Sequence, residues 1–117
     1  MENPIYVAIT GLKHYYGTSF LKPGQYIQLI KEPDNPYDQE AIKAEIPPIG
    51  KIGYVANSIY TVPKGCRSAG RIYDSIDQQA GGMVRFVMKD TVIVELTANL
   101  EDFFTINMMS NVTFSWK

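Results

Sequence analysis

Residues 32–42 read EPDNPYDQEAI, and this stretch predicts a tight bend that runs directly into a β-strand. Its prolines fix φ and short side chains such as Asn35 hydrogen-bond the backbone, so the bend is expected to be rigid. Tyr37 and Asp38 are then held in place, where a ring can stack on a planar group and a carboxylate can accept a hydrogen bond from a hydroxyl. The alternative is a strand connection without a ligand, which the chemistry of the bend alone favours.

Six segments have the composition of short β-strands. They are Ile5–Thr10, Tyr26–Ile30, Ala41–Ile46, Lys51–Val55, Met83–Met88 and Thr91–Leu96. The third, which follows the bend, alternates apolar and charged residues, the pattern of a strand with one buried face. The last two flank Lys89 and Asp90 and predict a β-hairpin.

Residues 57–82 lack this alternation and contain four glycines, so they predict a loop with short helical pieces. Asn57 or Ser58 is placed to cap one helical turn, and Arg71–Gln79 can form another. Six or seven short strands with one or two short helices predict a mainly β fold, a small OB-like or SH3-like barrel. Closure of the barrel would hide the strand edges of so small a sheet.

The length of 117 residues predicts one domain that can bury a core without a metal or a disulfide. We expect the barrel to occupy residues 1–98 and a C-terminal extension to occupy residues 99–117. Within the extension, the sequence TFSW at 113–116 predicts a late strand or an aromatic patch. The extension is expected either to pack on the barrel or to mediate self-association.

The composition narrows the functional classes. The net charge of −1 argues against broad nonspecific nucleic-acid binding, but residues 13–71 hold eight Lys/Arg against five Asp/Glu. A mildly basic face can therefore form near the bend, although ordinary solvated charges explain the same count. No apolar run has membrane-spanning length, the start lacks a secretory signal, and Cys66 is the single cysteine. We expect a cytoplasmic protein with no membrane partner.

Catalytic, metal and cofactor sites are not expected. His14 is the only imidazole, no G-x-S-x-G motif is present, and a structural zinc site needs about four ligands. Gly11–Ser19 departs from a phosphate loop, and a calcium loop starting at Asp34 would lack its essential glycine. The carboxylate pair Asp34 and Asp38 lies on a turn without an evident pocket, so acid–base catalysis is not expected there either.

Several short motifs, in their order and spacing, resemble the HIRAN domain family. They are VAITG at 7–11, YYG at 15–17, PGQ at 23–25, the bend at 32–42 and IGYV at 52–55. The family occurs fused to chromatin-remodelling helicases and as short free-standing bacterial proteins, and residues 61–98 look like the longer bacterial form. The resemblance implies a compact OB-like or SH3-like barrel that binds nucleic acid without catalysis.

The resemblance also implies particular binding residues. HIRAN domains of the remodellers bind the 3′ end of single-stranded DNA through a tyrosine that stacks on the terminal base and an aspartate that accepts a hydrogen bond from the 3′-hydroxyl. Those positions are matched by Tyr37 and Asp38, and a nearby motif asparagine is matched by Asn35. The expected partner is therefore the 3′ end of single-stranded DNA.

Phosphate and second stacking contacts fall elsewhere in the chain. The resemblance places a phosphate-binding cation at Lys13 and a second stacking residue at His14, or at Tyr15 if the alignment shifts by one. A histidine and a lysine that contact the DNA backbone in the remodellers correspond to Tyr54 and Asn57, so two cationic contacts are lost.

The bacterial-type insertion supplies candidate replacements for those cations, namely Lys64, Arg67 and Arg71. Expected partners include a helicase or another DNA-processing protein, in DNA repair or replication-fork processing. The alternative function is protein–protein or self-association on the same barrel without DNA, with a homodimer formed through the C-terminal aromatic segment. Of the three possible functions, an enzymatic one is the least supported by the sequence.

Overall fold

The fold was analysed in a computed structural model that describes residues 4–97. Six strands form a closed antiparallel barrel in the order β1-β4-β3-β2-β5-β6. They are β1 (Tyr6–Thr10), β2 (Tyr26–Lys31), β3 (Ile42–Ile46), β4 (Gly50–Val55), β5 (Gln79–Val87) and β6 (Val92–Leu96). A 3₁₀ helix spans Leu12–His14 and a short helix, α1, spans Ala69–Tyr73. The predicted mainly β barrel is confirmed.

The barrel interior is filled by alternate aliphatic side chains from its strands. Fully buried members include Val7, Ile9, Ile27, Leu29, Ile42, Ile52, Val84 and Val94. The 3₁₀ helix adds the buried Leu12 to this core, and α1 adds the buried Ala69 and Ile72. Both short helices are therefore fixed to the barrel by apolar burial, which is the main stabilising term at this size.

Most strand boundaries differ from the sequence predictions by at most one residue, but β5 and the helix differ by more. β5 begins at Gln79 rather than at Met83, because Gly81 and Gly82 belong to the strand. A Cβ atom at Gly82 would overlap the Val94 side chain, so glycine marks close packing there rather than a loop. The predicted helix at Arg71–Gln79 was placed too late in the chain.

The helix instead begins after Ser68, whose Oγ accepts a hydrogen bond from the Arg71 N–H at 3.2 Å. Ser58 starts only a single turn, in which its carbonyl accepts from the Val62 N–H at 3.0 Å. The predicted extension at 99–117 lies outside the described residues. In residues 4–97, no helix is long and apolar enough to cross a membrane.

Candidate nucleic-acid interface

The bend between β2 and β3, which we call the elbow (residues 32–41), is organised by one asparagine. Asn35 Oδ1 accepts hydrogen bonds from the backbone N–H groups of Tyr37 at 2.9 Å and Asp38 at 3.1 Å. Asn35 Nδ2 donates to Glu32 Oε1 at 2.8 Å, which ties the tip of the elbow to its base. This is the local asparagine chemistry that the sequence pattern predicts. Asn35 therefore positions its neighbours from inside the elbow.

The Tyr37 side chain stands out from the elbow, with 94% of its surface exposed. It lies on the rim of two grooves. The Asn57 groove, of about 490 Å³, is lined by Tyr37 together with Thr10, Asn35, Asp38, Tyr54, Asn57 and Thr61. The Lys51 groove, of about 520 Å³, is lined by Tyr37 together with Tyr15, Glu32, Asp34, Lys51 and Tyr54. The exposed Tyr37 ring is thus shared by two grooves.

The Asp38 carboxylate is half-buried in the Asn57 groove and is held at both oxygens. Oδ1 accepts from the Glu40 backbone N–H at 2.9 Å, and Oδ2 accepts from Asn57 Nδ2 at 2.8 Å. A carboxylate offers about four acceptor positions, so each oxygen retains one for a further donor. The carboxylate is oriented by internal amides and still has the capacity to accept from a hydroxyl.

Asn57 connects the elbow to the insertion that carries α1. While its Nδ2 donates to Asp38, its Oδ1 accepts from the Gly70 backbone N–H at 2.7 Å. Both polar ends of this side chain are engaged within the protein. Its place in the groove is thus that of a positioning residue for Asp38, a tertiary role that a single sequence does not reveal.

Tyr54, a predicted contact residue, is half-buried and has no free hydroxyl. Its hydroxyl donates to Glu32 Oε1 at 2.7 Å and accepts from Lys51 Nζ at 2.8 Å, while Lys51 and Glu32 form an ion pair at 3.6 Å. Burial acts to raise the pKa of Glu32, but hydrogen bonds from Asn35 and Tyr54 together with nearby lysine charges lower that pKa below its ordinary value. The hydrogen bond with Tyr54 raises the pKa of Lys51, so both ends of the network stay charged near neutral pH.

Lys51 is a cation that sequence reasoning missed. Alternation along β4 would place Lys51 on the same face as the buried Val55. The strand contains a bulge, where Ala44 pairs with Gly53 but Glu45 pairs with Lys51. The extra residue turns Lys51 to the outer face, where its Nζ lies 4.9 Å from the Tyr54 ring centroid.

The 3₁₀ helix that carries Lys13 and His14 packs beside β4 at Gly53. A Cβ at Gly53 would lie 2.6 Å from the Thr10 carbonyl oxygen, so only glycine permits this approach. Lys13 and His14 are exposed but line neither groove beside Tyr37. Tyr15 does line the Lys51 groove, with its ring centroid 5.8 Å from Lys51 Nζ, and so shares a groove with Tyr37.

The three insertion cations lie in a third depression, the Arg67 groove. It has a volume of about 600 Å³ and is lined by Asn57, Ser58, Lys64, Arg67, Ser68 and Arg71, among others. It meets the Asn57 groove at Asn57 and Ser58, which line both. In residues 4–97, no group of three or more His, Cys, Asp or Glu side chains is placed to hold a metal ion.

A small closed β-barrel with an exposed aromatic ring, an adjoining groove and neighbouring cations has the features of a nucleic-acid-binding barrel. The family model of the HIRAN domain matches residues 3–97, and the chain belongs to the HIRAN domain family. HIRAN domains are, in general, DNA-binding modules that bind single-stranded DNA and are not catalytic.

One solved structure supports the same fold. The crystal structure of the HIRAN domain of human HLTF is similar to this chain, with a TM-score of 0.61 and 22% identity. The similarity covers 89% of this chain and 83% of that chain. At this identity, the likeness establishes the barrel and not the ligand. The comparison with curated proteins gave no match.

Proposed function

We propose that this domain binds the 3′ end of single-stranded DNA, in DNA repair or replication-fork processing, without catalysis of its own. The observation that carries the proposal is the pairing of the exposed Tyr37 ring with the Asp38 carboxylate in the adjoining groove. The terminal base stacks on the ring, and the 3′-hydroxyl donates to an Asp38 oxygen. Stacking of this kind contributes about 1–3 kcal/mol per base and tolerates any base.

Discrimination between 3′ termini follows from the fixed carboxylate. A hydroxyl supplies the donor that Asp38 can still accept, whereas a 3′-phosphate supplies no donor and brings negative charge beside a carboxylate. Because Asn57 and the Glu40 N–H hold Asp38 in place, the carboxylate loses little freedom on binding.

Cations near Tyr37 would meet the backbone of the bound strand. Lys51 lies in the Lys51 groove, which Tyr37 also lines, together with Tyr15 as a second stacking surface. Lys13 and His14, on the exposed 3₁₀ helix, add positive charge or a further ring outside these grooves. We place the protein in the cytoplasm, with a helicase or another DNA-processing protein as partner.

The test is a titration of labelled single strands that differ only at the 3′ terminus. At low salt, the 3′-hydroxyl strand is expected to bind more tightly than its 3′-phosphorylated twin, and Asp38→Ala is expected to erase this preference. Asp38→Asn, which keeps an acceptor oxygen, separates loss of charge from loss of the internal hydrogen bonds. Thermal unfolding of each variant checks that the fold persists. Equal binding of the two termini, or no binding at low salt, would contradict the proposal.

Protein–protein or self-association is the second candidate function. A fourth region, of about 310 Å³, is lined by Tyr6, Phe86, Met88 and Ile93, among others, with Phe86 61% exposed and Met88 50% exposed. Exposed apolar clusters of this kind mark contact surfaces. Association through residues 99–117 predicts a concentration-dependent mass in sedimentation velocity that is lost in Trp116→Ser. A monomer at high concentration would count against it.

A further inference from the structure

The Arg67 groove carries unpaired positive charge. None of its lining residues is acidic. The ion pairs found in residues 4–97 join Lys43 to Glu45, Lys51 to Glu32 and Arg85 to Glu95. Lys64, Arg67 and Arg71 therefore have no carboxylate partner within the part of the chain that the structure describes. Cations gathered in one depression without a paired carboxylate are suited to bind an anion, although the Glu40 carboxylate approaches Gly70, next to Arg71.

The backbone beneath these cations is anchored on both sides. The Arg67 N–H donates to the Tyr6 carbonyl at 2.8 Å, and Tyr6 also forms a bridge with Cys66, so the loop is fixed to β1. The Ala69 N–H donates to the Ala56 carbonyl at 3.0 Å, which fixes the start of α1 to the end of β4. The groove is thus built into the fold, and only the ends of its long side chains must be ordered by a ligand.

The groove is also joined to the proposed terminus site. Asp38 is bonded to Asn57 at 2.8 Å, Asn57 is bonded to the Gly70 N–H at 2.7 Å, and Arg71 follows directly in the chain. A 3′-terminal nucleotide at Asp38 would therefore lie beside the entrance to the Arg67 groove. The nucleotides on the 5′ side of this terminus, or a second strand paired near it, can place their phosphates there.

We propose that the Arg67 groove binds the phosphodiester backbone of nucleic acid next to the terminal nucleotide. This inference rests on the proposed function and adds a second contact region to it. The phosphates can come from the same strand or from a second strand paired near its end. Either source gives the same signature, because each cation that neutralises a phosphate releases counterions and steepens the salt dependence of binding.

The test compares two double variants that remove the same charge. Lys64→Gln with Arg67→Gln alters the groove, whereas Lys22→Gln with Lys89→Gln alters exposed lysines that line none of the grooves. The probes are a trinucleotide, a single strand of about 12 nucleotides within the site size of one barrel, and a duplex of which the same strand forms the 3′ overhang. Each has a free 3′-hydroxyl, and a 3′-phosphorylated copy of the longer strand is included.

For the longer strand, a plot of log affinity against log salt concentration is expected to be shallower for the groove variant than for wild type. Its negative slope should be smaller in magnitude by about 1.4, since each of the two lost phosphate contacts contributes about 0.7. The ratio of wild-type affinity to variant affinity is then about sevenfold larger at 50 mM salt than at 200 mM salt. The control variant keeps the wild-type slope, and trinucleotide binding is unchanged. An effect on the single strand identifies phosphates of the same strand, whereas an effect confined to the duplex identifies a second strand.

Unchanged slopes for both longer probes would overturn the groove assignment. This result is separable from failure of terminus recognition. If the 3′-phosphorylated strand binds as well as the 3′-hydroxyl strand while the groove variant still lowers the slope, the groove assignment holds and terminus recognition fails.

Discussion

Replacement of Tyr37 by alanine tests the ring that the proposed function depends on. The side chain is 94% exposed, and the backbone bond from its N–H to Asn35 Oδ1 is available to any residue, so the free energy of unfolding is expected to change by no more than about 0.5 kcal/mol. Loss of one stacked base removes about 1–3 kcal/mol of binding free energy. Since about 1.4 kcal/mol is tenfold in Kd, Tyr37→Ala should weaken binding by about 5- to 150-fold.

Fluorescence anisotropy with a short strand ending in a 3′-hydroxyl measures this loss. Tyr60 provides a matched control, because it is 90% exposed and lines none of the three grooves. Tyr60→Ala should bind like wild type, and Tyr37→Phe should retain most of the affinity because it keeps the ring. Equal losses in Tyr37→Ala and Tyr60→Ala, or wild-type affinity in Tyr37→Ala, would refute the stacking argument.

Three further predictions concern the frame of the site. Gly53→Ala places a Cβ about 2.6 Å from the backbone oxygen of Thr10, so it should destabilise the protein by about 1–3 kcal/mol in urea unfolding, and unchanged stability would contradict the close approach. The pKa of Glu32 is lowered in the fold, so its contribution to stability is present above its ordinary value of 4.5 and is lost as the pH falls through the lower folded value. Unfolding of Glu32→Gln below pH 4.5 should therefore be less pH-dependent than that of wild type, and parallel curves would count against the network. Asn57→Ala frees one Asp38 oxygen from its internal partner, so the preference for a 3′-hydroxyl should shrink. The dependence of affinity on salt should change little. A full preference in this variant would show that Asn57 does not position Asp38.

Much of the barrel could be predicted because its strands are half-buried and alternate along the chain. The prediction for Ala41–Ile46 is within one residue of β3, whose Ile42 and Ala44 face the core. The start of β5 could not be predicted, since Gly81 and Gly82 suggest a turn when considered alone. These glycines are explained by packing against β2 and β6, whose side chains occupy the space that a Cβ would need.

In the candidate site, too, local features could be predicted and tertiary contacts could not. The elbow is local, so the hydrogen bonds made by Asn35 and the exposure of Tyr37 follow from residue types within a few positions. The position of Lys51 depends on a bulge, and the bonding of Asn57 depends on contacts 19 and 13 residues away. Such tertiary relations leave no periodic signal in one sequence.

The placement of charge is compatible with the proposed selective binding of DNA by a chain with a net charge of −1. Lys51, the cation in the groove beside Tyr37, is paired with Glu32, so much of its field is already neutralised. Recognition at the elbow is then expected to depend on stacking on the ring and on a hydrogen bond to Asp38, rather than on the release of counterions from phosphates. We expect most of the salt sensitivity of binding to come from the Arg67 groove, whose cations have no paired carboxylate in the described residues. Selectivity for the terminus and sensitivity to salt should therefore be removable separately, by Asp38→Ala and by the Lys64 and Arg67 substitutions.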